Sequence, residues 1–200
     1  LVKIYQQEGP AVASGGTLDA ATFEYILKAV SFLSLAEGMD MVIPTAKIFT
    51  PATQTVLQLG QAAIRPFQVN AFSTEGLLLG LLAEDKSVAA QVLATAGVTL
   101  AAVQTLTEKV LGLRQSTEIA AGHKPYAPRA KLVIELALEQ IEQTNQNGQN
   151  NQTYLEPEHL LLGILKEAEQ GGGVATHILE TNLGIDLIQL EQQLRQAMAA

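Results

Sequence analysis

The sequence predicts a mainly all-α fold: a pseudo-twofold double repeat of four-helix units, preceded by an N-terminal extension with room for one helix and short strands. Three observations carry this. Apolar residues recur at helical spacing along most of the chain. Several motifs occur twice, in the same order. Each copy also ends on the same punctuation: a glycine, an apolar residue, then a residue able to cap a helix.

The first paired motif is Phe49-Thr50-Pro51 against Tyr126-Ala127-Pro128, an offset of 77 residues. Pro suits a first helical position, because its missing N–H would have no intrahelical partner there. Downstream, Val56, Leu57, Leu59 and Ile64 match Val133, Ile134, Leu136 and Ile141, a broad apolar helical face in both copies. The second motif matches Glu75-Gly76-Leu77-Leu78-Leu79-Gly80-Leu81-Leu82 with Glu158-His159-Leu160-Leu161-Leu162-Gly163-Ile164-Leu165, at an offset of 83. The second copy thus holds six more residues between its first two helices, within the Asn- and Gln-rich run Gln143 to Thr153, read as a solvated loop. A helix apolar on every side is a buried one. Glycine inside it costs about 1 kcal/mol relative to Ala. Gly80 and Gly163 therefore point to close approach of another backbone, with these two helices central.

The third match pairs Val88-Ala89 and Val92-Leu93 with Val174-Ala175 and Ile178-Leu179, then Gly97-Val98-Thr99-Leu100 with Gly184-Ile185-Asp186-Leu187. Gly stops a helix in the left-handed conformation. Thr99 or Asp186 caps the next helix, and Val98 with Val103, or Ile185 with Leu190, forms a hydrophobic staple. The predicted helices are 51–65, 74–83, 86–96 and 99–111 in repeat one (49–112), and 128–145, 157–169, 173–182 and 186–198 in repeat two (126–200). Residues 113–125 form the linker. Residues 1–48 match neither copy and read as an extension with a helix over about 18–37, its stripe running through Phe23, Ile26, Leu27, Val30 and Leu33. That stripe packs on the repeats or against a second chain, which leaves a homodimer through residues 1–48 open.

Composition narrows the function. The chain of 200 residues is 48% hydrophobic and 16% charged, without Trp, so its core is aliphatic. A net charge of −8 opposes binding to nucleic acid or to an anionic membrane surface. The longest apolar stretch, Phe23 to Ala36, is interrupted by Glu24 and Lys28, and a membrane span needs roughly 20 mostly apolar residues, so no membrane helix is expected. No basic-then-apolar leader opens the chain, so no secretory signal is read. The absence of Cys removes disulfides, thiolate nucleophiles and thiolate metal sites, and it is compatible with a reducing compartment.

No catalytic grouping emerges. His123, His159 and His177 lack metal-ligand spacing, and no metal or cofactor site is expected. Gly171-Gly172-Gly173 leads into Val174, not the lysine of a phosphate loop. Glu156 and Glu158, without a nearby nucleophile or base, read as helix-capping residues. Glu75 and Glu158 open equivalent helices, where a carboxylate either complements the helix dipole or meets a ligand. His123-Lys124-Pro125-Tyr126 with Arg129 and Lys131 is a local basic cluster, a solvated face or a contact for an acidic partner.

The paired motifs resemble the N-terminal domain of Clp-type AAA+ unfoldases. In that family each copy opens with Phe/Tyr-Thr-x-x-Ala and later carries Gly-Thr-Glu-His-Leu-Leu-Leu-Gly-Leu. The counterparts are Phe49-Thr50, Tyr126-Ala127-Pro128-Arg129-Ala130, Ser73-Thr74-Glu75-Gly76 and Glu156-Pro157-Glu158-His159, over about residues 49 to 198. The motif's His is Gly76 in the first copy, and its Thr is Pro157 in the second. The resemblance implies a non-enzymatic module that recruits or regulates substrates, clients or adaptors for Clp protease and chaperone components, in the cytoplasm or a plastid stroma. It also implies that Glu75 and Glu158 take part in recognising phosphorylated arginine, with Thr74 and Pro157 beside them in the candidate protein-binding set. A structural or oligomerisation module, or the N-terminal part of a Clp unfoldase, are the alternatives.

Overall fold

The computed structural model describes residues 49–67, 69–112, 124–146 and 154–199. The expected helix and strands within 1–48, and with them the dimer, lie outside these residues, as does most of the linker and of the Gln143–Thr153 loop.

Repeat one holds α1 (Pro51–Ala63), α2 (Thr74–Glu84), α3 (Val88–Thr95) and α4 (Leu100–Leu111). Repeat two holds α5 (Pro128–Gln146), α6 (Pro157–Ala168), α7 (Val174–His177) and α8 (Leu187–Met198). Each helix falls where the apolar periodicity placed it. The terminal signals act as expected. Thr50 caps α1, its hydroxyl accepting from Thr53 N–H at 3.2 Å. Gly97 and Gly184 take φ of 83° and 68°, the left-handed region that ends a helix cheaply. Thr99 then accepts from Ala102 N–H, and Asp186 from Ile188 and Gln189 N–H.

Among the described residues, one helical stretch departs from regular α-helix, and counting residues explains it. The offset between repeats is 86 up to Leu93 and Leu179, and 87 from Gly97 and Gly184 onward. The extra residue lies just after α7, and there the chain winds as a π-helical turn over Ile178–Asn182. A wider turn absorbs one inserted residue without moving the glycine stop out of register.

The core is continuous across both repeats. Every residue from Thr74 to Leu82 in α2 and from Pro157 to Leu165 in α6 is buried. Burying a Leu or Ile side chain stabilises by about 1.5–3 kcal/mol, and these two helices contribute Leu77, Leu78, Leu79, Leu81, Leu160, Leu161, Leu162 and Ile164. The glycines are explained by backbone proximity. A Cβ on Gly80 would collide with the Val56 carbonyl of α1, and one on Gly163 with the Val133 carbonyl of α5, which is the equivalent residue.

The repeats interlock. Two single-residue β-bridges join Phe49 to Leu155 and Phe72 to Tyr126. Thr50 N–H donates to the Leu155 carbonyl at 3.2 Å, and Ala127 N–H to the Phe72 carbonyl at 2.8 Å. These are the same bond, made once in each direction. The lead-in to the first helix of each repeat thus pairs with the segment before the second helix of the other. Gln61 adds a clamp, donating to the Lys124 carbonyl and accepting from the Lys124 N–H, both at 3.0 Å.

Candidate functional site

The N-termini of α2 and α6 carry the residues singled out by sequence, and both abut the opposite repeat. At the first seam, Thr74 is fully buried and its hydroxyl accepts from Ala175 N–H of α7 at 3.1 Å. A Cβ on Gly173 would lie 2.5 Å from that hydroxyl, so glycine is what admits Thr74 to the start of α7. Next to it, Glu75 is 2% exposed. Burial pushes its carboxyl above the ordinary range, against its own backbone N–H and the Ser73 side chain, which hold it down. Its Oε2 has no hydrogen-bond partner among the described residues.

At the second seam the motif's threonine is absent. Pro157 is buried at the first turn of α6 and brings no hydroxyl. Glu158, 7% exposed, accepts instead from Ala89 N–H of α3 at 3.2 Å. Ala89 and Ala175 are equivalent residues, each second in the third helix of its repeat. The structure therefore brings Thr74 and Glu75 together at one seam and Pro157 and Glu158 at the other.

Glu156 does act at a helix start, as its sequence position suggests. Its N–H donates to His159 Nδ1 at 3.1 Å, within a reciprocal capping box. His159 is 2% exposed, and burial lowers its pKa to about 4. The imidazole is thus a neutral acceptor near pH 7. In repeat one the same space is filled differently. A Cβ on Gly76 would lie 2.5 Å from the Phe72 ring, and Phe72 replaces the smaller Leu155 of repeat two. The ring sits edge-on to Tyr126, centroids 5.1 Å apart. Glycine at position 76 follows from that aromatic.

Sequence reasoning missed a second pair of carboxylates. Glu84 Oε2 accepts from Ser87 N–H, and Glu167 Oε2 from Gly173 N–H, both at 2.8 Å. Glu84 and Glu167 share the offset of 83 and each caps the helix that follows its own. The repeated acid at the end of the second helix was the available signal. Glu167 is fully buried and also meets the Arg129 guanidinium and the Thr176 hydroxyl. Arg129, read from sequence as part of a basic cluster, is therefore engaged in an intramolecular ion pair. No group of three or more His, Asp or Glu side chains is placed to hold a metal among the described residues.

Comparison with known proteins places this architecture. The model of the Clp repeat (R) N-terminal domain matches residues 48–148. The chain is 38% identical, over 91% of its length, to the ATP-dependent Clp protease ATP-binding subunit ClpA homolog CD4B, chloroplastic, of Solanum lycopersicum, and covers 18% of that protein. It is 39% identical, over 72% of its length, to chaperone protein ClpC1, chloroplastic, of Arabidopsis thaliana, and covers 14% of it. The chain thus spans under a fifth of the length of these relatives. Among solved structures, the N-terminal domain of ClpD from Arabidopsis thaliana superposes with a TM-score of 0.59 at 19% identity, covering 82% of this chain and all of that one. The Hsp104 N-terminal domain from Candida albicans gives 0.57 at 11%, covering 76% of this chain and 93% of that one. Both share its fold. With the double helical repeat, its paired motifs and these matches in agreement, the chain belongs to the Clp N-terminal domain family.

Proposed function

We propose that this chain is a non-catalytic protein-recognition module of the Clp system, which recruits or regulates substrates or adaptors. The observation that carries this reading is correspondence with the N-terminal domain of Clp ATP-binding subunits, over under a fifth of their length. The seams support it. They hold a carboxylate, a hydroxyl and a neutral histidine that act as helix caps. Glu75 and Glu158, with Thr74 and Pro157 beside them, form the candidate recognition set, and a cationic or phosphoarginine-bearing client group is the chemistry their acidity suits. In a plastid stroma, which suits its resemblance to chloroplastic relatives, or in a cytoplasm, the module would meet proteins and not nucleic acid, given its net charge of −8.

The test is capture by the immobilised chain of purified Clp chaperone and protease components, of an adaptor, and of an unfolded client with and without phosphorylated arginine. Capture of one of these, reduced by Glu75→Gln, supports the reading. Failure to retain any of them refutes it.

A further inference from the structure

The two seams solve one problem with different atoms. The third helix of each repeat starts against the other repeat, and its second N–H has no intrahelical partner. At the first seam the Thr74 hydroxyl takes the Ala175 N–H at 3.1 Å. At the second, the equivalent Ala89 N–H is taken by the Glu158 carboxylate at 3.2 Å. The residue that corresponds to Thr74 is Pro157, and the one that corresponds to Glu158 is Glu75. The task has moved one residue along the chain, from a hydroxyl to the neighbouring carboxylate.

The opposing residues show why. Thr74 fits because Gly173 stands across from it with no Cβ. The counterpart of Gly173 is Ser87, whose own hydroxyl caps α3 by accepting from Ala90 N–H at 3.2 Å. By the pseudo-symmetry, the Ser87 Cβ occupies the space a threonine hydroxyl at position 157 would need. A short side chain is excluded there. A longer one from position 158 reaches Ala89.

We infer that Glu158 is an inter-repeat latch that has replaced the threonine missing at Pro157, so that α7 is held by a hydroxyl and α3 by a carboxylate. Glu158 serves by holding α3 in place against the other repeat.

The latch has a direct readout in the exchange of the N–H groups that the two seams hold. Amide hydrogen exchange by NMR on the whole chain follows Ala89 and Ala175. Glu158→Ala leaves a buried N–H unpaired and accelerates Ala89 exchange by about ten- to a hundredfold, while Glu158→Gln, which keeps an acceptor oxygen, leaves it within about threefold. Thr74→Val does the same to Ala175 and spares Ala89. The triple variant S87G/P157T/E158A copies the first seam onto the second and restores Ala89 protection; P157T/E158A, with Ser87 in the way, does not. Unchanged Ala89 exchange in E158A, or no recovery in the triple variant, overturns the latch. If E158A does not fold, a folded triple variant supports the latch, and a triple variant that is also unfolded counts against it.

Discussion

Lowering the pH from 6.5 to 4 should remove a definite part of this domain's stability through His159. The side chain is 2% exposed and its Nδ1 accepts the Glu156 N–H, so the folded state requires the neutral ring. Burial lowers its pKa from 6.5 to about 4. Between those values the unfolded chain binds more protons than the folded one. The contribution is complete above pH 6.5 and disappears as the pH falls through that range to about 4. At about 1.4 kcal/mol per decade of proton affinity, the gap amounts to roughly 3 kcal/mol. Glu75 works in the opposite direction. Its raised pKa means that protonation favours the folded state, so its contribution grows as the pH drops through the raised value toward 4.5. The control is therefore His159→Gln, which keeps an acceptor in the capping box, does not titrate, and leaves Glu75 untouched. Urea unfolding of both proteins at half-unit steps from pH 7 to 4 gives a difference curve. It should fall by about 2–3 kcal/mol as the pH drops. Parallel curves, or an NMR titration of His159 centred near 6.5, would refute the reasoning.

Three further outcomes are expected. Gly80→Ala and Gly163→Ala each drive a methyl against a carbonyl of the crossing helix; overpacking of about 1–3 kcal/mol outweighs the ~1 kcal/mol gained in helix propensity, and differential scanning calorimetry should show a lower Tm for both. Gly76→His, which copies repeat two, collides with the Phe72 ring and should cost upwards of about 3 kcal/mol in chemical denaturation, with at least half recovered in F72L/G76H. Residues 49–112 and 124–199 expressed as separate chains should each lack a cooperative thermal transition by circular dichroism, because each half lacks the partner of its bridges and caps; the mixture should regain one.

The helices were legible because their signals are local. Apolar spacing, Pro51 and Pro128 at first positions, and Gly97 and Gly184 at the stops each act within a turn or two of themselves. The close approach at Gly80 and Gly163 was legible for a related reason: a costly glycine repeated at the same place in a buried helix needs a neighbour. The seams were not legible. That Thr74 reaches Ala175, or Glu158 reaches Ala89, depends on contacts across 101 and 69 residues, which no periodicity reports. The substitutions that mark them, Thr74 to Pro157, Gly76 to His159 and Gly173 to Ser87, look like unrelated departures in sequence. In three dimensions each is matched to the residue opposite. The π-helical turn lay between these cases: the change of offset from 86 to 87 was present in the alignment of the repeats, but its structural form was not.

Under the proposed function, proteins are gripped at the seams between the repeats. Hydrogen-exchange mass spectrometry of the chain, alone and with a captured Clp client, tests this most directly. Protection concentrated on peptides spanning Ser73–Gly76 and Glu156–His159, with the outer surfaces of α4 and α8 unchanged, is the expected result. Protection confined to α4 or α8, with both seams exchanging as in the free chain, would contradict it.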